Sequence, residues 1–134
     1  MPQLRTGEAG RLLGVSDDTV RRWVESGRLA AARDEVGRVV IDGAELAAFA
    51  EAQASAPEWG DPAADSARNR FTGLVVRVTK DGVMAQVDVQ AGPFRVVSLM
   101  SREAADELGL APGSVVAASV KATQVVVQLL PVRD

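Results

Sequence analysis

Two adjacent arginines, Arg21 and Arg22, are the side chains of this sequence with the clearest chemical capability. A guanidinium fork presents paired donors, which can bind a phosphate group or the edge of a guanine base. The apolar residues around them recur at the spacing of one helix face, namely Val20, Trp23 and Val24. The free faces of that helix present Asp18, Thr19, Arg21 and Arg22. The segment therefore predicts a helix that can contact DNA, and its alternative interpretation is an ordinary solvated helix face.

The composition argues against most catalytic and metal-binding chemistry. The 134-residue chain has no His, no Cys and no Tyr, and only 4% of its residues are aromatic. It therefore lacks the common ligands of zinc, thiolate nucleophiles, disulfides and the stacking platforms that bind single-stranded nucleic acid. No clustered carboxylate pair or phosphate-binding loop is present either, so we expect no catalytic residues, no metal site, no cofactor and no enzyme activity. No apolar run has the length of a signal peptide or a membrane span, which predicts a cytoplasmic protein.

Short helices and one hairpin are predicted around the arginine pair. Thr6 is a candidate cap for a first helix that Gly14 ends, and Ser16 is a candidate cap for the helix of the arginines. The segment 33–41 has a central glycine between β-branched residues, which is typical of a small hairpin. Asp42 then begins an alanine-rich helix. The predicted order is helix, turn, helix, wing, helix.

This first segment resembles the winged helix-turn-helix of the MerR and excisionase families. The resemblance covers roughly the first 50 residues and is carried by residues 4–29, which include the run Leu12-Leu13-Gly14-Val15-Ser16-Asp17-Asp18-Thr19-Val20-Arg21-Arg22-Trp23. It implies that double-stranded DNA is a partner, with the second helix in the major groove and the wing arginines beside it. The implied DNA-contacting residues are Ser16, Asp18, Thr19, Arg21, Arg22, Arg33 and Arg38. Residues 1–56 hold seven arginines against nine acids, so we expect a single copy to bind DNA weakly.

The pattern changes after a segment rich in Pro, Ala, Gly and Asp. We predict a first domain at 1–54, a linker at 55–65 and a second domain at 66–134. The second domain has a period of about two residues, with strands near 71–79, 83–90, 94–100, 114–121 and 124–130. One short helix, capped by Ser101, follows the third strand. The predicted fold class is α+β, with a small all-α winged helix-turn-helix domain followed by an all-β barrel of the oligonucleotide/oligosaccharide-binding type with one short helix.

The second domain resembles the Mop or TOBE domain of molybdate-responsive regulators, molybdate-storing proteins and molybdate importers. The motifs that carry this resemblance are Ser66-Ala67-Arg68-Asn69, Phe71-Thr72-Gly73, Ser98-Leu99-Met100-Ser101, Leu108-Gly109-Leu110 and Val120-Lys121-Ala122-Thr123. It implies molybdate or tungstate as the ligand, bound by Ser66, Ala67, Arg68, Asn69, Ser101, Lys121 and Ala122. A tetrahedral dianion without a proton needs only donors, which these residues offer. The alternatives are that Lys121 is a surface lysine and Ser101 only a helix cap.

Together, the two resemblances predict a molybdate- or tungstate-responsive transcriptional regulator. In the second family, oxyanion sites form between subunits, so we expect a homo-oligomer built by the second domain. The apolar segment 124–130 fits this expectation because an exposed strand edge binds another strand readily. The alternative function is storage or buffering of molybdate. Salt-dependent binding to a promoter fragment separates the two hypotheses.

Overall fold

The computed structural model describes residues 2–60 and 65–133. The chain divides into two compact units, one made of Met1–Ser55 with Leu129–Asp134 and the other of Ala56–Gln128. Within the described residues, no helix combines the length and the apolar character needed to cross a membrane.

The first unit has the predicted order of helix, turn, helix, wing and helix, with one strand in front. Its elements are β1 (Gln3–Arg5), α1 (Thr6–Leu13), α2 (Asp17–Glu25), β2 (Ala32–Arg33), β3 (Val39–Asp42) and α3 (Gly43–Gln53). The three strands form an antiparallel sheet in the order β1-β3-β2. The prediction missed β1, since a three-residue strand carries too little pattern to be seen in a sequence.

The ends of the helices mostly follow the sequence. Ser16 caps α2, because its side chain accepts a hydrogen bond from the backbone of Thr19, and Gly14 ends α1 with a left-handed conformation. The predicted cap of α1 was wrong by one residue. Arg5 occupies the cap position and Thr6 is the buried first residue of the helix. The reason is that Arg5 pairs with Val40 as part of β1, which holds its backbone extended.

One apolar core holds the first unit together. Its buried members are Leu4, Ala9, Val20, Leu29, Ile41 and Leu46. The half-buried Trp23 of α2 packs against Phe49 of α3, with ring centroids 4.9 Å apart. Apolar residues of α2 therefore face the core, as their spacing predicts, and the polar residues between them stay outside.

The second unit is an antiparallel sheet of four strands that curls into a half-barrel. Its elements are β4 (Asn69–Lys80), β5 (Met84–Ala91), β6 (Phe94–Ser101), α4 (Arg102–Glu107) and β7 (Val115–Val120). The strand order is β6-β5-β4-β7, and residues of both edge strands line one apolar cleft. Val75, Val87 and Val89 are buried at its centre. The predicted class, α+β with a helix-turn-helix unit and a β unit of the oligonucleotide/oligosaccharide-binding type, is confirmed.

The strand predicted at 124–130 does not form. Ala122–Gln124 make a single 3₁₀ turn, and the residues from Val125 to Arg133 run on without pairing to any described strand. The apolar side chains of this segment face solvent, with Val126 93% and Leu129 95% exposed. A strand is defined by hydrogen bonds to a neighbour, so β-propensity alone could not produce one here.

Candidate functional site

The exposed face of α2 forms an open depression of about 550 Å³. Its lining residues are Ser16, Asp18, Arg21, Arg22 and Glu25. Four of these five are residues predicted to contact DNA, and they project from one helix because its opposite face is held in the core. The depression is polar and shallow, which suits an extended charged partner better than a small apolar ligand.

Hydrogen bonds place the two arginines of α2 differently. The Thr19 hydroxyl lies 2.9 Å from the Ser16 hydroxyl and accepts a hydrogen bond of 3.2 Å from the Arg22 guanidinium. The Arg22 side chain is therefore oriented toward the start of the helix. Arg21 instead forms an ion pair of 3.2 Å with Asp17, one turn earlier. Both partners of this pair are exposed, so the pair contributes little to stability and gives way easily to a stronger anion.

The wing arginines are held within the wing. Arg33 donates to the carbonyl of Gly37 at 2.7 Å, and Arg38 contacts the carboxylate of Asp34 at 3.0 Å. The pKa of Asp34 is lowered, first because the backbone N–H of Arg38 donates to its carboxylate and also because of the Arg38 side chain. Asp34 thus stays charged and offsets the positive charge of Arg38 within the wing.

In the second unit, strand pairing brings two of the predicted oxyanion segments together. Asn69 begins β4 and lies opposite Val120, the last residue of β7, whose carbonyl accepts a 3.1 Å hydrogen bond from the Asn69 amide. Ser66 and Arg68 precede Asn69, and Lys121 follows Val120. The side chains of Ser66, Arg68 and Lys121 are exposed. Residues 66–69 and 121–122 together form the donor cluster.

Two predicted oxyanion residues have partners of their own. The backbone N–H of Ala67 donates to the Asp65 carboxylate at 2.9 Å, so that amide is engaged in the structure. Ser101 ends β6 and caps α4, accepting a 3.1 Å hydrogen bond from the backbone of Ala104. Its hydroxyl hydrogen is still free to donate. Ser101 lies on the edge strand β6, whereas the donor cluster lies beside β4 and β7 on the other side of the sheet, and no hydrogen bond joins them among the described residues.

Sequence reasoning missed a buried carboxylate in the second unit. Apolar and polar residues alternate along β5, which by itself would put Asp88 on the exposed face, yet only 1% of Asp88 is exposed. It accepts hydrogen bonds from Gln86 at 3.0 Å and from Arg95 at 2.7 Å, and Arg77 lies 3.5 Å away. These groups, Gln86 and Arg95 before Arg77, lower the pKa of Asp88. The arginines on both neighbouring strands could have indicated that Asp88 is buried and ion-paired, but only once the strand register was known.

Comparisons with known proteins agree with both halves of the chain. Residues 65–127 match the family described as TOBE domain, and residues 4–54 match the family described as helix-turn-helix domain. Molybdenum-pterin-binding protein 2 of Clostridium pasteurianum is 38% identical over 63 residues, covering 46% of this chain and 93% of that protein. The chain belongs to the TOBE family. Molybdenum-pterin-binding protein 1 of the same organism is 35% identical with the same coverage, and a helix-turn-helix domain precedes the TOBE domain here.

Solved structures are also similar to this TOBE domain. A molybdate-binding protein from Sporomusa ovata is 30% identical in sequence and superposes with a TM-score of 0.48. The match covers 50% of this chain and 100% of that protein's chain. MopII from Clostridium pasteurianum is 36% identical, with coverages of 49% and 100% and a TM-score of 0.46. The donor cluster and Ser101 fall inside the TOBE domain, and the predicted DNA-contacting residues fall inside the helix-turn-helix domain.

Proposed function

We propose that this protein is a cytoplasmic transcriptional regulator that binds double-stranded DNA through residues 1–54 and molybdate or tungstate through residues 66–134. The observation that carries the proposal is the joining of a helix-turn-helix domain to a TOBE domain whose relatives are molybdenum-pterin-binding proteins. The oxyanion would change DNA affinity by binding more tightly to one arrangement of the DNA-binding units than to another.

The geometry of α2 supports the DNA-binding half of this proposal. Arg22 is oriented by Thr19 and Arg21 by an exposed ion pair, and both belong to a helix whose apolar face is buried. Such a helix can enter the major groove with its guanidinium groups toward base edges or phosphates. Its cap, Ser16, lines the same depression.

The donor cluster supports the oxyanion half. Ser66, Arg68, Asn69 and Lys121 offer hydroxyl, guanidinium, amide and ammonium donors where the start of β4 pairs with the end of β7. The nearby carboxylate of Asp65 has one oxygen engaged by the Ala67 amide. Molybdate and tungstate carry no proton at neutral pH, so they fit a site made of donors, whereas hydrogen phosphate brings a proton that needs an acceptor.

The TOBE domain also supports assembly of a homo-oligomer. The edges of β6 and β7 flank a cleft of about 290 Å³ that is lined largely by apolar residues, including Val96, Met100 and Val116. The exposed segment 125–130 has the apolar character and the length to occupy such a cleft as a fifth strand. We propose that this segment pairs with the edges of a second copy, and that Ser101 of one copy meets the donor cluster of another.

Titration calorimetry with molybdate, tungstate, sulfate and phosphate tests the oxyanion half. We expect molybdate or tungstate to bind and to shift the sedimentation of the protein toward the assembled form, since a ligand stabilises the state that binds it. Sulfate binding as tight as molybdate binding would refute oxyanion sensing. Retention of a fragment from the protein's own promoter region, measured against salt concentration with and without molybdate, tests the DNA-binding half.

A storage or buffering role is the second candidate function. It is favoured by one observation, that the matched stretch covers 93% of the molybdenum-pterin-binding relatives, which therefore consist of little beyond this domain. In that case the protein would bind molybdate and show no salt-dependent retention of DNA. The promoter experiment therefore separates storage from regulation.

A further inference from the structure

The side chain of Arg133 contacts the first helix of the helix-turn-helix unit. Residues from Leu129 onward belong to the same compact unit as the helix-turn-helix. The guanidinium of Arg133 lies 2.9 Å from the carboxylate of Glu8 in α1, and both side chains are largely covered, at 30% and 20% exposed. The same oxygen of Glu8 accepts a 2.8 Å hydrogen bond from the backbone of Arg5.

Arg133 enters a cleft that adjoins the start of α2. The cleft has a volume of about 470 Å³ and its charged lining residues are Arg5, Glu8, Arg11, Asp17 and Arg133. Asp17 is the first residue of α2 and follows the cap Ser16, which lines the depression of the arginine pair. The cleft therefore borders the end of α2 that carries the proposed base-reading residues.

The charge of this cleft depends on Arg133. Without it, the two arginines among the described lining residues balance the two carboxylates, and a phosphate would gain no net attraction. With it, Glu8 has a partner and the cleft becomes cationic. Helix-turn-helix proteins place their first helix across the DNA backbone while the second enters the groove, so a cation on α1 beside the start of α2 is close to phosphates.

We propose that Arg133 is a DNA-backbone contact of the helix-turn-helix unit, supplied by the far end of the chain. The inference rests on the proposed DNA binding and adds a residue outside the helix-turn-helix domain. It also links the two proposed activities, because Arg133 lies three residues after the apolar segment 125–130 that would pair with a second copy. Assembly and DNA affinity would then act on the same stretch of chain.

The test uses the full chain and a fluorescent duplex of random sequence, about two helical turns long. Binding is measured by anisotropy between about 50 and 200 mM salt, because phosphate contacts dominate non-specific binding and set its salt dependence. One lost phosphate contact should reduce the slope of log K against log salt by about 0.9, which is about an eightfold loss of affinity at 0.1 M salt. We expect this change in Arg133→Gln and a nearly normal slope in Arg133→Lys.

Two further variants separate a phosphate contact from a purely structural role of Arg133. Glu8→Gln removes the ion pair but keeps the cation, so we expect its slope to equal or exceed that of the wild type. If Arg133 only anchored the end of the chain, Glu8→Gln would weaken DNA binding as Arg133→Gln does, and the proposal would be wrong. Lys80→Gln removes a cation paired with Asp106 in the other unit, and it should leave the slope unchanged.

The failure of this inference differs from the failure of the proposed function. An unchanged slope in Arg133→Gln, together with loss of binding in the double variant Arg21→Ala and Arg22→Ala, overturns the role of Arg133 alone. A wild-type protein that shows no salt-dependent binding to the duplex overturns both proposals.

Discussion

Replacing Gly10 by alanine tests whether α1 and α2 are packed as the structure has them. Gly10 is buried in α1 and has an ordinary helical backbone. A Cβ atom added there would lie 2.7 Å from the carbonyl oxygen of Val15, in the turn between the two helices. Because the obstacle is backbone, no side-chain rotation can relieve the contact, and the turn that positions α2 must move.

Gly7 provides a matched control in the same helix. A Cβ atom at Gly7 would meet nothing within 4 Å. Gly7→Ala therefore changes stability only through the higher helix propensity of alanine and the lower conformational entropy of the unfolded chain. Those terms should stabilise the unit by about 0.4–1 kcal/mol. Gly10→Ala gains the same terms and adds an overpacking cost of about 1–3 kcal/mol. The two variants should therefore differ by about 1–3 kcal/mol, with Gly10→Ala the less stable.

Urea denaturation followed by the fluorescence of Trp23 measures this difference. Trp23 packs against Phe49 in the first unit, and the second tryptophan of the chain, the exposed Trp59, is replaced by phenylalanine in every variant. With a slope of about 1 kcal/mol per molar urea for a unit of this size, the two midpoints should be about 1–3 M apart. Equal midpoints for the two variants would refute the close approach of α1 to the turn.

Three further outcomes are expected from the sites. The double variant Arg21→Ala and Arg22→Ala should lose specific retention of the promoter fragment while oxyanion binding stays normal, and normal retention would refute the role of α2. Lys121→Ala and Arg68→Ala should each weaken molybdate binding about tenfold to a hundredfold in calorimetry, because each removes a charge-assisted hydrogen bond, and unchanged affinity in both would place the site elsewhere. Hydrogen bonds from an amide and a guanidinium lower the pKa of Asp88 in the folded state, so its stabilising effect is complete above about pH 4 and is lost as the pH falls through the lowered value. Asp88→Asn should therefore show less loss of urea resistance between neutral and acid pH than the wild type, and an identical acid dependence would contradict this assignment.

Local chemistry made much of the fold readable from the sequence. Ser16 and Ser101 cap their helices as predicted, because a cap depends on backbone N–H groups only three residues away. The apolar stripe of α2 identified the helix and, by difference, the residues facing outward. The motifs of the second half were specific enough to indicate the TOBE family, because their order and spacing extend over a whole domain.

Interactions between distant residues decided the rest. Thr6 lost its predicted cap position because β1 pairs with β3, a contact between segments more than thirty residues apart. Asp88 is buried because the strand register places it between Arg77 and Arg95 on the two neighbouring strands. The alternation of residues along β5 alone could not reveal that these two side chains shield Asp88 from solvent.

The sequence by itself determined which residue types this chain has for binding and which helices, strands and turns carry them. Only the tertiary structure decided that residues 66–69 and 121–122 are neighbours, that Ser101 lies at the other edge of the sheet, and that Arg133 reaches Glu8. The physical reason is the distance along the sequence between the residues that interact. Caps, turns and amphipathic stripes arise from residues a few positions apart, whereas strand pairing and charge clusters require the chain to close long loops, which no local pattern encodes.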